Sequence, residues 1–384
     1  MGVIRVLQLL TSTVPGGGPR QVFHLIRHLP AEEFSTSVGG PWNERFASDL
    51  RTVRVELAAV AVDSLRAFPL TLQRVRQLVH DTRADVVHTH GKGAGLYGRL
   101  AANQAGVPSV HTFHGLHYEH YSRAGRYLYL ALERWLARLT HTVINVSASQ
   151  DQEALELGVA QQGHSAVIVN GIDVDELAKR RSADRAELGL KPDAEPVIGC
   201  VARFDPVKQH EILVKAVAMV AERHPNAVLL LAGDGPEKVR IEQRAKELKV
   251  QVVFTPGAIA WNKNAYSSCS VYVTCSSKEG LPLAPLEAMA SGLAVVATDV
   301  PGHRDVVDRD RTGLLVAPSG GAEKLAKALA EGITLLLDDP ERRERMGQAG
   351  RERVLREFTL ESMVDKTAAV YRAAAASRRT SRRS

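Results

Sequence analysis

The sequence predicts an α/β chain built on parallel sheets, and three observations carry the prediction. Short apolar, β-branched runs such as Val3–Leu10, Val197–Val201 and Val271–Thr274 read as buried strands. Each leads into a loop bearing glycine, proline or charge and then into a helical stretch, the order that parallel sheets require. The 384 residues, 45% of them hydrophobic, suffice for two core-forming domains. Open sheets of this kind bind ligands beyond the carboxyl ends of their strands, so the loops there are the candidate sites.

Val3–Leu10 runs into Thr11–Gly18, and a helix follows with Val22, Phe23, Leu25, Ile26 and Leu29 on its apolar face. A strand, a glycine turn and a helix invite a dinucleotide-site reading, but the G-x-G-x-x-G spacing is absent. Gly17 and Gly18 either let backbone approach a phosphate closely or simply make a tight turn. Asp85–His90 is a strand ending in Gly91-Lys92-Gly93, with a helix at Leu96–Ala105; Ser109–Phe113 is another, running into His114-Gly115. His111, His114, His117 and His120 recur every third residue, which raises a metal site. Gly115 interrupts that spacing, His111 lies on a strand and no Cys or Asp cluster supports it, so no metal is expected.

Tyr121–Leu139 reads as a helix rich in aromatic and basic residues, either packed on the sheet or presenting a membrane-surface face. Thr142–Val146 is a strand and Asn170-Gly171 a turn. The polar, proline-bearing stretch Arg180–Pro196 is the expected interdomain linker. The first domain is accordingly placed at 1–180 and the second at 190–357.

The second domain opens with Val197–Val201 and a loop carrying Arg203 and Lys208; a helix follows from about Gln209. Arginine offers a planar fork and lysine a mobile point charge, so the two together neutralise a diphosphate, unless both are merely solvated. Val228–Leu231 leads into Gly233-Asp234-Gly235-Pro236, and Val252–Phe254 is a further strand. After Val271–Thr274, Pro282 and Pro285 make Glu279–Pro285 a shaped loop. A short helix Leu286–Ser291 stops at Gly292, and Val295–Ala297 is the next strand. The amides of Leu283 and Ala284 lie at or before the helix start, where free N–H groups attract phosphate. Glu279 lies in the loop and Glu287 in the first turn of the helix. Alone, they are a solvated loop acid and a favourable helix-start charge, or carboxylates turned to sugar hydroxyls. Thr312–Val316 is the last strand, with helices at about 321–337, 340–357 and 360–376. Residues 378–384 form a basic tail expected to be disordered.

The formal charge of +6 suits affinity for phosphates or an anionic membrane face, or simply a soluble basic enzyme. Aromatics are 5% and are not interleaved with basic residues in a patch, so nucleic acid is not an expected partner. Cys200, Cys269 and Cys275 make no CxxC pair and fit reduced thiols in a cytoplasm. The N-terminal run is too short and wrongly flanked for a signal peptide, and Val6 stands where myristoylation needs Ser or Thr. No apolar run approaches a membrane span.

The stretch Ser276–Thr298, SSKEGLPLAPLEAMASGLAVVAT, resembles the Glu-x7-Glu motif of family-4 retaining glycosyltransferases of the GT-B fold. The family form is close to S-x-x-E-G-x-P-x-x-x-x-E-A-M-A-x-G-x-P-V-V-A-T, and only Leu293-Ala294 departs from it. The resemblance extends over HTHGKGAGLYGRLAANQAGVPSVHTFHG, the N-G-[IV]-D turn at Asn170–Asp173 and the G-R-x-x-x-x-K-G motif at Arg203 and Lys208, where Gln209 replaces glycine. It weakens from Pro256 to Ser270, which borders the base pocket in the family. It implies two doubly wound, Rossmann-like domains with the active site between them, the last helix, 360–377, returning to the acceptor-side first domain.

The implied reaction moves a sugar from a nucleoside diphosphate sugar, UDP-linked ahead of GDP-linked, to an acceptor hydroxyl with retention. It needs no cofactor beyond the donor. His114 and Glu279 are the implied catalytic residues; Gly17, Gly18, Arg203, Lys208, Gly235, Leu283, Ala284 and Glu287 are the implied substrate-binding ones. Arg203 and Lys208 would meet the pyrophosphate, Glu287 the ribose, Glu279 and His114 the sugar. His88 and His90 would line the acceptor side. A saccharide or lipid-linked acceptor, cell-surface polysaccharide or glycolipid synthesis and weak contact with an anionic membrane from the cytoplasmic side complete the expectation. A nucleotide-sugar 2-epimerase of the same fold, a glycosidase and a non-catalytic sugar-nucleotide-binding subunit are the alternatives; acceptor-dependent release of nucleoside diphosphate separates them.

Overall fold

The computed structural model describes all residues except 1, 15, 117, 119, 120, 180–184, 257–264 and 382–384, with the backbone alone at 379–381. The chain forms two compact units, residues 1–171 with 360–384, and residues 172–359.

The first unit holds a seven-stranded parallel sheet: β1 Ile4–Leu10, β2 Phe34–Gly40, β3 Leu57–Ala59, β4 Val86–His90, β5 Ser109–Phe113, β6 Thr142–Asn145 and β7 Ser165–Val167. Their spatial order is β3-β2-β1-β4-β5-β6-β7, so the winding reverses between β1 and β4. Alternate residues feed opposite faces. Val6, Val86, Val110 and Ile144 pack with Leu25, Leu29 and, from the last helix, Tyr371, Ala374 and Ala375. Leu7, Leu9 and Val87 pack with Val75, Val79, Tyr97 and Ala101. Burying both faces explains the largely apolar run of β1, whereas β4, Val-Val-His-Thr-His, is buried throughout yet polar over its last three residues.

The second unit holds a six-stranded parallel sheet: β8 Val197–Val201, β9 Val228–Ala232, β10 Gln251–Thr255, β11 Val271–Thr274, β12 Val295–Thr298 and β13 Gly313–Val316. The order β10-β9-β8-β11-β12-β13 reverses between β8 and β11. Ile198, Cys200, Leu229, Leu231, Val271, Val273 and Val296 bury one face under the helices His210–Ala221 and Gly321–Asp338.

Several expectations are corrected. Residues 185–196 are no loose linker: Leu188, Leu190 and Ala194 are buried against Val197, Val228, Leu230 and Ala265 on the second sheet's other face, and Thr255 Oγ1 donates to the Leu188 carbonyl at 2.8 Å. The chain leaves the first unit at Gly171, and Ile172 N donates to Phe358 O at 2.8 Å within the second. The helix after β11 begins at Leu283, not Leu286, because Pro282 stands at its N-cap with extended backbone and Pro285 falls in the first turn, where a missing N–H costs nothing. Glu287 is therefore the fifth residue of that helix, beyond the first turn. The basic tail is helical as far as Ser381. Its Arg378 donates to the Ala84 carbonyl at 2.7 Å and pairs with Asp85 at 3.3 Å, which ties down what composition alone leaves loose. No helix among the described residues is long and apolar enough to cross a membrane.

Candidate active site

In each unit the winding reversal opens a place for loops beyond the strand ends. In the second unit these are the loop after β8, with Arg203 and Lys208, and the loop after β11, with Glu279. Main chain joins them: Ser277 N donates to Val207 O at 2.9 Å. The Lys208 ammonium donates to Glu279 Oε1 at 2.5 Å, with the two side chains 23% and 12% exposed. Burial alone would raise the Glu279 carboxyl, but Lys208 and His303 outweigh it and hold the group below the usual carboxylate range. Arg203 is half exposed and forks onto Asp205 at 2.9 and 3.3 Å. The first loop therefore presents two cations, one clamped by a largely buried acid, 12% exposed, and one by a more open acid, 29% exposed.

Two glycines shape these loops by close approach. A Cβ on Gly235 would lie 2.7 Å from the Phe204 carbonyl oxygen. Phe204 N donates to Asp234 O at 2.9 Å and Glu237 N to Phe204 O at 3.0 Å, so the Gly233–Pro236 turn braces the Arg203 loop. A Cβ on Gly302 would lie 2.5 Å from Gly280 O and 2.7 Å from Glu279 O, so only glycine lets the Glu279 loop rest there. His303, next to it, is fully buried, and its Nδ1 donates to Thr298 O at 2.8 Å. Burial lowers its imidazole below the ordinary range, against the pull of Glu279. Neither Gly302 nor His303 was foreseen. Gln209 adopts a left-handed conformation, φ 52° and ψ 39°, between Lys208 and the helix that starts at His210. That geometry explains why glycine suits this position.

Leu283 and Ala284 are the first two residues of the helix Leu283–Ala290, whose opening N–H groups have no intrahelical acceptor. Glu287 is 2% exposed, and Tyr266 donates its hydroxyl to Glu287 Oε2 at 2.8 Å. The tyrosine was not foreseen, because nothing in the sequence ties residue 266 to residue 287.

In the first unit, the helix Gly17–His28 begins with Gly17 and Gly18. A Cβ on Gly18 would sit 3.5 Å from the His114 ring, so the glycine turn lies directly against that histidine. His114 stacks on His90 with ring centroids 5.3 Å apart, and His90 lies 4.1 Å from His88. Both His88 and His90 are buried, 2% and 7% exposed, and bonded into the interior; the expectation that they line an acceptor surface is corrected. His111 is fully buried, with its Nδ1 2.7 Å from Thr89 Oγ1 and its ring edge-on to Phe113. His117 and His120 lie outside the described residues, as do Trp261–Asn264.

Two family models match: Glycosyltransferase Family 4 over residues 15–176 and Glycosyl transferases group 1 over residues 181–353. The chain is 31% identical over 309 residues to an alpha-maltose-1-phosphate synthase of Mycolicibacterium smegmatis, covering 75% of this chain and 79% of that one. It is 27% identical over 305 residues to an Escherichia coli UDP-Gal:alpha-D-GlcNAc-diphosphoundecaprenol alpha-1,3-galactosyltransferase, covering 75% and 77%. Among solved structures, Anabaena Alr3699/HepE in complex with UDP and glucose superposes with a TM-score of 0.83 at 20% identity, over 96% of this chain and all of that one. That likeness is one of fold, and the fold is GT-B. The chain belongs to glycosyltransferase family 4 and is an enzyme that transfers a sugar from a sugar nucleotide.

Proposed function

We propose that the enzyme transfers a hexose from a UDP-sugar, with retention, to a hydroxyl of a saccharide or lipid-linked acceptor in cell-surface polysaccharide or glycolipid synthesis. The observation that carries the reading is the Lys208–Glu279 pair with Arg203 on loops beyond the strand ends, where the winding reverses. As the glycosidic bond breaks, its electron pair goes to the departing diphosphate. Lys208, Arg203 and the amides of Leu283 and Ala284 stabilise that charge. A donor that draws Lys208 onto its phosphate frees Glu279 to accept from sugar hydroxyls. Glu287 serves the ribose, and Gly235 the loop beside it. His114 contacts the sugar, and the Gly17–Gly18 turn the diphosphate. A phosphate oxygen takes the acceptor's proton on the face where the new bond forms, so configuration is kept.

The UDP preference and the lipid-linked acceptor draw on the Escherichia coli relative's name, and UDP also on the Anabaena complex. The helix Arg123–Ala137 favours work at an anionic membrane. Tyr127, Leu128, Leu132 and Trp135 are 69%, 67%, 37% and 45% exposed. At ~100° per residue they share one arc, with Arg123, Arg134 and Arg138 along its edge. The test is a thermal-shift screen of UDP and GDP sugars followed by acceptor-dependent UDP release. Stabilisation by UDP-sugars, growing with ln(1 + [L]/Kd), is the expected result. Stabilisation by GDP-sugars alone, or turnover without an acceptor, would overturn it.

A further inference from the structure

A chain of hydrogen bonds crosses the interior of the first unit, and its direction is set by one residue. Gln8, on β1, is fully buried. Its Oε1 can only accept, so the 2.9 Å contact to His90 Nε2 places the His90 proton on that nitrogen. His90 Nδ1 is then bare, and at 3.1 Å it accepts from His114 Nε2–H. In the other direction Gln8 Nε2 donates to the Tyr371 oxygen at 2.8 Å. Tyr371 directs its single proton to His88 Nδ1 at 2.5 Å, and His88 Nε2–H donates to Thr112 Oγ1 at 2.7 Å. Each donor in the series meets one acceptor.

We propose that Gln8, His90 and Tyr371 are positioning residues that hold His114 as its Nε2–H tautomer, so that His114 offers Nδ1 as an acceptor and selects a ligand hydroxyl over a phosphate or carbonyl oxygen. The opposite tautomer would set two bare nitrogens, His90 Nδ1 and His114 Nε2, against each other at 3.1 Å. Burial keeps the His90 imidazole well below its ordinary range and brings His114 down to about 4, so neither ring gains a second proton at neutral pH. Tyr371 is rigidly placed: fully buried, edge-on to Phe34 at 6.0 Å and to His88 at 5.5 Å. The inference rests on the reading that His114 contacts the donor sugar. A neutral hydroxyl acceptor fits a sugar, whereas the diphosphate is served by Lys208 and Arg203.

The test is a two-bond 15N–1H correlation spectrum of the 15N-histidine-labelled full chain, with His114 assigned by the signals missing from His114→Ala. The expected spectrum shows His114 with Nε2 protonated and Nδ1 bare. In Gln8→Met the single tautomer is lost and kcat/KM for a UDP-sugar falls roughly tenfold, while affinity for UDP itself is unchanged. If Gln8→Met does not fold, Tyr371→Phe removes the next link, and the wild-type spectrum decides in any case. A wild-type His114 protonated on Nδ1, or a variant that keeps both tautomer and rate, would overturn the relay. A wild-type rate in His114→Ala would instead remove the ligand role and leave the tautomer intact, so the two failures are distinct.

Discussion

The two units place histidine and charge differently around the same architectural feature. Where the second sheet reverses, the loops carry formal charge: Lys208 on Glu279, Arg203 on Asp205. Where the first sheet reverses, the side chains are neutral and joined by hydrogen bonds: His114, His90, Gln8, Tyr371, His88. Separating a partly buried ion pair leaves one charge poorly solvated, so the Lys208–Glu279 pair, 23% and 12% exposed, responds to an arriving anion. A neutral hydrogen-bonded chain responds to the geometry of a donor group and is indifferent to charge. Within its own unit, each arrangement thus suits a different ligand group: the charged loops an anion, the neutral chain a hydroxyl.

The largest expected effect comes from breaking the charged side. Arg203→Ala or Lys208→Ala should lower kcat/KM by on the order of 2–4 kcal/mol, as for a lost oxyanion donor. Lys208→Ala should also lower the melting temperature, because it strands Glu279. Wild-type kcat/KM in both variants would dissolve the contrast between the units.

The neutral side sharpens it through pH. Burial depresses the imidazoles of His88, to about 3, and of His114, to about 4. A depressed group contributes stability that is present above its unfolded value, about 6.5, and lost as pH falls toward the folded one. Urea-unfolding free energy should therefore drop between pH 6.5 and 5. His88→Gln should flatten that slope by up to about 1.4 kcal/mol per pH unit. Glu279, held below its usual range, begins to matter only beneath roughly pH 4.5. An unchanged slope in His88→Gln would mean that the ring is not held neutral by burial.

How much of this was legible in the sequence follows from how local each feature is. The β8, β11 and β12 runs are apolar on both faces and announce themselves. Strand β2, Phe-Ser-Thr-Ser-Val-Gly-Gly, carries too little apolar signal, and β3 has three residues. Arg203, Lys208 and Glu279 were legible as loop residues at strand ends, and the family resemblance sharpened them. Their supports were not: Gly302 matters through the Glu279 backbone it touches, and Tyr371 bonds Gln8 from 363 positions away. The 185–196 stretch misled because its composition is polar while Leu188 and Leu190 point into the core.

A smaller effect tests which unit meets the membrane. The full chain should pellet with anionic vesicles more than with neutral ones, in a salt-sensitive manner, each arginine near the surface contributing about 1 kcal/mol. Tyr127→Ser with Trp135→Ser should reduce pelleting more than removal of the residues after Ser377, since Arg378 is already engaged by Asp85. Equal pelleting on both vesicle types would retire the membrane face. The smallest effect concerns backbone strain on the charged side: Gln209→Gly should raise stability by up to about 1 kcal/mol, read from the urea midpoint, because its left-handed φ suits glycine. A loss of stability would show that the glutamine side chain matters more than its backbone.

The central claim is that the loops of the second unit hold a diphosphate through their cations. Calorimetric titration of UDP and of uridine into the wild type and into Lys208→Met tests it most directly. The account predicts that UDP binds the variant at least roughly tenfold more weakly while uridine binds both equally, the nucleoside serving as the control for folding. Equal UDP affinity in the two proteins would contradict it.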